Sequence, residues 1–210
     1  MKELSYEGLG LGKEKSDIAF CLLKGRVRKD KILNFEIVGD SMSPFLNQGD
    51  TASVRTVEFQ DLQKGDIIVY GIGKHLCAHR YIYPIKSSFS NEVKNDDPFV
   101  LITKADNASC FDQLPVSREQ LIGKIISIRR KDKNIDLGTT FWKVINYFLA
   151  SISALQVYLL IFLRFLRRTL LPDIEFPFGS SIEKSLCFVL SIPCRIVVHI
   201  IPLLGRKIQS

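Results

Sequence analysis

The chain has 210 residues and a formal net charge of +7, enough for one domain with a real core and an appendage. Residues 1–130 hold 19 Lys/Arg against 17 Asp/Glu, whereas residues 131–210 hold 10 against 5, so the basic surplus sits with the apolar C-terminal third. That pattern suits anionic lipid and argues against a nucleic-acid partner, while five cysteines (Cys21, Cys77, Cys110, Cys187, Cys194) without a CxxC pair argue against a disulfide framework, a metal site or a bound cofactor.

The first seventeen residues are rich in charge, and the apolar run that follows, Ile18 to Leu23, is too short for a signal-peptide core or a membrane span. The sequence therefore predicts no export of the N-terminus. Lys13 to Lys31 reads as a short helix, with Ser16 and Asp17 as caps before IAFCLLK and Gly25 near its end. Residues 1–32 are thus expected to form a helical lead-in.

Residues 33–133 change character, to short apolar runs separated by Gly, Asp, Asn and Pro. The expected strands are LNFEIV, TASVRTV, DIIVYG, LCAHRYIY, FVLIT and IGKIISIRR. Turns are expected at NQGD, at QKGD and across the polar stretch SSFSNEVKNDDP, residues 87–98, which reads as a long hairpin or loop. The fold expected here is mainly β, a compact barrel or sandwich.

Residues 134–210 read as an apolar helical tail associated with a membrane. Val144 to Leu163 is an uncharged run of 20 residues, which as a helix reaches about 30 Å, the thickness of a hydrocarbon core. Lys143, Asn146, Ser153 and Arg164 recur near helical spacing and draw a thin polar stripe, so a helix lying in the interface fits as well as a spanning one. The cluster RFLRR closes the run. A second apolar stretch, Leu186 to Leu204, is interrupted by Pro193, Arg195, His199 and Pro202 and reads as interfacial or re-entrant. Buried helices of a soluble domain are the competing reading of both stretches.

The segment VGDSMSPFLNQGD, residues 38–50, carries the densest chemical information. Ser43 and Pro44 suit the N-cap and first position of a short helix, which would put Ser41 on the bend before it. There its hydroxyl would be exposed and its N–H could face an oxyanion. By spacing alone, an ordinary capping serine is the simpler account.

GDSMSPFLNQGD resembles the serine box of type I signal peptidases and of the self-cleaving repressors in the same clan. The blocks that follow, QKGDIIVYG (63–71), CAHRYI (77–82), LITKADNASCFDQLPV (101–116) and LIGKIISI (121–128), stand in the order that family shows. The resemblance implies a serine endopeptidase with a signal-peptidase-like β core, cleaving a signal or leader peptide from a precursor. Ser41 is then the nucleophile. Where bacterial members and the repressors carry a lysine, this chain has His79-Arg80, as the endoplasmic-reticulum and archaeal branch does, which makes His79 the general base. Imidazole can take a serine proton near neutral pH without the desolvation a lysine needs. His75 and Lys74 are nearby competitors placed on a turn. The branch's triad acid falls on Asp112, with Asp106 as the alternative.

Two departures from the family pattern stand out. Ala105 replaces a glycine, and Gly39 occupies a position where many members place a hydroxyl donor for the oxyanion hole, a loss worth roughly 3 kcal/mol in a well-studied case. Met42, Phe45 and Leu46 read equally as core packing or as the family's apolar contact surface. Gly49-Asp50 and Gly65-Asp66 read as turn pairs. The expected partners are a precursor peptide and membrane lipid. A catalytically silent membrane adaptor on the same fold is the alternative, and a self-cleaving repressor a weaker one, since the 40 residues before Ser41 hold no two-helix DNA-reading pattern. An N-terminal core with a membrane-bound tail leaves the side of the membrane open.

Overall fold

The computed structural model describes residues 32–73, 75–86 and 99–170. The expected helix over 13–31, the polar stretch 87–98 and the apolar stretch 186–204 lie outside these residues, as does Lys74. The described chain is mainly β: one antiparallel sheet of seven strands, followed by one long helix.

The strands are β1 (Ile32–Glu36), β2 (Thr51–Arg55), β3 (Ile67–Ile72), β4 (His75–Lys86), β5 (Phe99–Lys104), β6 (Leu121–Arg130) and β7 (Lys133–Asp136). They run in the order β1-β2-β6-β3-β4-β5, and β7 pairs with the C-terminal half of β6. All six expected strands form. β7 has no expected counterpart, because it follows a two-residue turn at Lys131-Asp132 instead of the Asn-Gly or Asp-Gly that announces such a hairpin. Lys131 takes the left-handed backbone the turn requires, with φ 52°.

Side-chain alternation buries both faces of the sheet. On one face Ile67 and Val69 of β3 join Ala52, Val54, Ile122, Ile125 and Ile128, roofed by Met42, Phe45 and Leu46 from the β1–β2 connection. On the other face Ile68, Tyr70, Tyr81, Leu101 and Val116 pack together. Met42, Phe45 and Leu46 are therefore core residues.

The two Gly-Asp pairs build the same turn twice. In NQGD the Asp50 N–H donates to Asn47 O at 3.1 Å, and the Asn47 N–H donates to Asp50 Oδ2 at 2.8 Å. In QKGD the Asp66 N–H donates to Gln63 O at 2.9 Å, and the Gln63 N–H to Asp66 Oδ2 at 2.9 Å. Each glycine sits at positive φ, +85° at Gly49 and +98° at Gly65. Each aspartate also binds a cation from β6, Arg130 on Asp50 and Lys124 on Asp66, which ties both turns to one strand.

The helix, α1 (Thr140–Leu170), is longer than the uncharged run that announced it. Thr139 O accepts its first backbone bond, from Lys143 N. The window Thr140–Leu163 is long and apolar enough to cross a membrane. Leu149 enters the core cluster that also holds Phe45, and Ala150 and Ala154 pack on Ile82 of β4. Small side chains there let the helix approach the strand closely. The thin polar stripe divides: Asn146 and Ser153 are buried, Lys143 is exposed.

Candidate functional site

β3 and β4 pair so that Ile68 faces His79 and Tyr70 faces Cys77. Residues opposite one another in an antiparallel pair share a face, so His79 projects on the side of Tyr70 and Tyr81. Thr103 of β5, opposite Tyr81, lies on the same side. After β5 the chain folds back along it: the Asp112 N–H donates to Thr103 O at 2.9 Å, and Leu101 and Val116 exchange two backbone bonds. Pairing alone therefore delivers Asp112 to His79.

The His79 Nδ1 atom lies 2.7 Å from Asp112 Oδ2. Thr103 Oγ1 donates to the same oxygen at 2.6 Å, and the Tyr70 hydroxyl donates to it at 3.2 Å. A carboxylate against Nδ1 fixes the tautomer with the proton on Nδ1, which leaves Nε2 with its lone pair. Burial works to raise the Asp112 pKa, but the hydrogen bond and charge of His79, then the Thr103 and Tyr70 hydroxyls, outweigh it and hold the carboxyl below its ordinary value. Burial first, and then the Asp112 charge, push the Tyr70 phenol well above its usual range, so it stays neutral and donates. The same two causes push the Cys77 thiol up to about 11, so it is an inert neighbour.

Asp106 does different work. Arg80, next to His79, projects to the opposite face and is 0% exposed. Its Nε and Nη2 bind the two Asp106 oxygens at 2.8 and 2.7 Å, a fork-to-fork pair. Nη1 donates to Gly65 O at 3.1 Å and to Asn146 Oδ1 of α1 at 2.8 Å, and the guanidinium lies 5.0 Å from the Phe45 ring centre. One cation thereby joins the Ser41 loop, the turn before β3, the Asp112 loop and the helix. Asp112, rather than Asp106, is the carboxylate on His79.

Ser41 lies in turns that contain no helix. Ser43 N–H donates to Asp40 O at 2.8 Å, closing a β-turn with Ser41 and Met42 at its centre, and Leu46 N–H donates to Met42 O at 3.0 Å. The expectation of a helix starting at Pro44 is thus corrected: these two bonds close separate turns, and the Ser43–Pro44 peptide is cis. The loop is anchored by Asn107, whose N–H donates to Ser41 O at 3.1 Å and whose Nδ2 donates to Asp40 O at 3.0 Å. Asn107 is five residues before Asp112 on the same connection, so one segment holds both the serine loop and the acid. Among the described residues Ser41 Oγ makes no hydrogen bond to His79, and the Ser41 N–H has no acceptor. Ala105 keeps an ordinary backbone, since Lys131 alone among the described non-glycine residues has positive φ.

His75 opens β4 and is exposed. Lys104 is 1% exposed, shares the Arg80 face and donates to Ala105 O at 3.2 Å. A cavity of about 360 Å³ further along β4, between Phe59, Tyr81, Pro84 and Leu101, touches none of Ser41, His79 and Asp112. Tyr70, Thr103 and Asn107 look like ordinary strand and turn residues in the sequence until the pairing is known. Tyr70 alone gives a signal, as a buried hydroxyl that needs a partner. Among the described residues no group of three or more His, Cys, Asp or Glu could hold a metal ion. No family model, curated protein or solved structure matches this chain.

Proposed function

We propose that the chain is a serine endopeptidase of the signal-peptidase kind, acting on a precursor peptide at a membrane. The observation that carries this reading is the half-buried His79–Asp112 contact, reinforced by two hydroxyl donors and joined through the Asn107 segment to the Ser41 turn. His79 Nε2 takes the Ser41 hydroxyl proton as Oγ attacks the scissile carbonyl. Asp112 holds Nδ1–H and stabilises the imidazolium that forms. The Ser41 N–H donates to the oxyanion. His79 returns the proton to the leaving amine, and water, deprotonated in turn by His79, releases the acyl group from Ser41.

The substrate geometry follows from an open edge. β5 pairs with β4 from Arg80 onward, so among the described residues no strand covers His75–His79 on that side. An extended peptide adding there as a strand would run its backbone past His79. The outward apolar face of α1, with Val144, Phe148 and Leu155 each more than half exposed, supports the membrane location.

A Ser-Lys dyad is the second reading, because Lys104 is buried on the face where Met42 and Phe45 of the serine loop pack. Cleavage of a leader-bearing precursor by purified full-length protein separates the two. Ser41→Ala and His79→Ala should each abolish cleavage and the double variant should lose no more, because nucleophile and base act as a unit. Activity near wild type in His79→Ala with loss in Lys104→Ala would assign the base to the lysine. Retained cleavage in Ser41→Ala would end the enzyme reading.

A further inference from the structure

The helix presents its polarity reversed. Its protein-facing side carries Asn146, Ser153 and Gln156, all buried, alongside Leu149, Ala150, Val157 and Leu160. Its outer side carries Val144, Phe148, Leu155, Ile161, Phe162 and Phe165, each 53–65% exposed. A helix at the surface of a soluble domain shows the opposite arrangement, and a soluble monomer rarely shows so continuous an apolar face.

The contacts with the β domain run along the helix. Trp142 stacks edge-on to Phe45 at 5.8 Å, Asn146 accepts from Arg80, Ala150 and Ala154 meet Ile82, and the Tyr158 hydroxyl donates to that of Tyr83 at 3.2 Å. From Trp142 to Tyr158 this is about 24 Å of axis. At Gly65 the approach is so close that a Cβ would lie 2.4 Å from the Asn146 carbonyl. A spanning α1 would have to take β4, the Arg80–Asp106 pair and the turn at Lys64 into the hydrocarbon with it, where unpaired sheet backbone and charge are strongly disfavoured.

We infer that α1 lies flat on one leaflet as an in-plane helix, with the β domain on its water side and the Val144-Phe148-Leu155-Phe162 face in lipid. Anionic lipid is the occupant that fits, because the apolar run is bracketed in sequence by Lys143 and by Arg164, Arg167 and Arg168. Tyr147 and Tyr158, half exposed at its margin, suit the headgroup boundary. The inference rests on the membrane part of the proposed function and is independent of the peptidase part. It fixes the distance of the His79 site from the bilayer, which a spanning helix would not do.

Trp142 is the sole tryptophan, so depth can be read from new ones. Phe148→Trp and Phe162→Trp, each with Trp142→Phe in the full chain, would be bound to phosphatidylcholine–phosphatidylglycerol vesicles with doxyl groups at shallow and deep acyl positions. Leu155→Trp serves as a third site should one variant fail to fold. An in-plane helix gives the same shallow depth at all positions. Depths differing by about 21 Å between 148 and 162, as a spanning helix requires, would overturn it. Vesicle binding without quenching at any position would overturn it too, by showing that residues 171–210 or a second copy covers the face. Absence of vesicle binding would end the membrane reading itself.

Discussion

Asp106 and Asp112 stand six residues apart on one loop, and the structure predicts opposite consequences for the same substitution at each. Asp106→Asn removes the counter-charge of Arg80, whose side chain is fully buried. Leaving such a cation uncompensated costs about 3–5 kcal/mol, roughly two to three and a half orders of magnitude in the folding equilibrium. Gly65 O, Asn146 Oδ1 and the Phe45 ring would still face the guanidinium, which favours the lower end. Asp112→Asn leaves a neutral, partly exposed amide and strands no fully buried charge, so its stability cost should stay near about 1 kcal/mol. Its amide can turn an N–H toward Nδ1 and select the wrong His79 tautomer, with a fall in turnover of about 10⁴-fold where that happens in the serine-protease template. Urea unfolding in detergent micelles, followed by Trp142 fluorescence, reads the first effect where it arises, since Trp142 packs on the Phe45 ring beneath Arg80. Cleavage or acylation rates read the second. If Asp106→Asn unfolded like wild type and abolished activity, while Asp112→Asn did neither, the roles assigned to the two carboxylates would be wrong.

Three further outcomes follow from the same geometry. Because the folded-state pKa of Asp112 is depressed, its pairing adds stability that is fully present above the ordinary value near 3.8 and is lost as pH falls through the lower folded value; Asp112→Asn should flatten the stability profile of the wild type in that acid window, and unchanged curvature would refute the pairing. Gly65→Ala places a methyl 2.4 Å from the Asn146 backbone at a φ of +98°, so it should cost at least about 2 kcal/mol and loosen α1 from the sheet, visible as faster amide exchange in residues 145–150. Membrane binding should weaken in high salt without ending, because Arg164, Arg167 and Arg168 add about 1 kcal/mol each on anionic lipid while the apolar face binds by burial; complete release by salt alone would contradict the apolar contribution.

The strands were legible because this sheet alternates as sheets do, and the Gly-Asp turns because φ beyond +80° at Gly49 and Gly65 leaves little choice of residue. β7 was not legible, since Lys131-Asp132 carries no hairpin signal. The serine loop carries Ser-Pro, a frequent helix opening, yet the bonds to Asp40 and Met42 close turns there instead. Asp112 and Asp106 could be ranked only by resemblance, as the choice depends on which face of β4 each meets, a matter of cross-strand register. Asn146 illustrates the wider limit: in sequence it belongs to a polar stripe, and only its bond to Arg80 reveals that the stripe points partly inward.

The central claim is that Ser41 is a nucleophile activated by His79. Treatment of the full-length protein with a fluorophosphonate, followed by peptide mass mapping, tests it without knowledge of the natural substrate. The account predicts a single adduct on Ser41 that is absent in Ser41→Ala and forms far more slowly in His79→Ala, with Asp112→Asn between that variant and wild type. An unmodified Ser41, or labelling indifferent to His79, would contradict it.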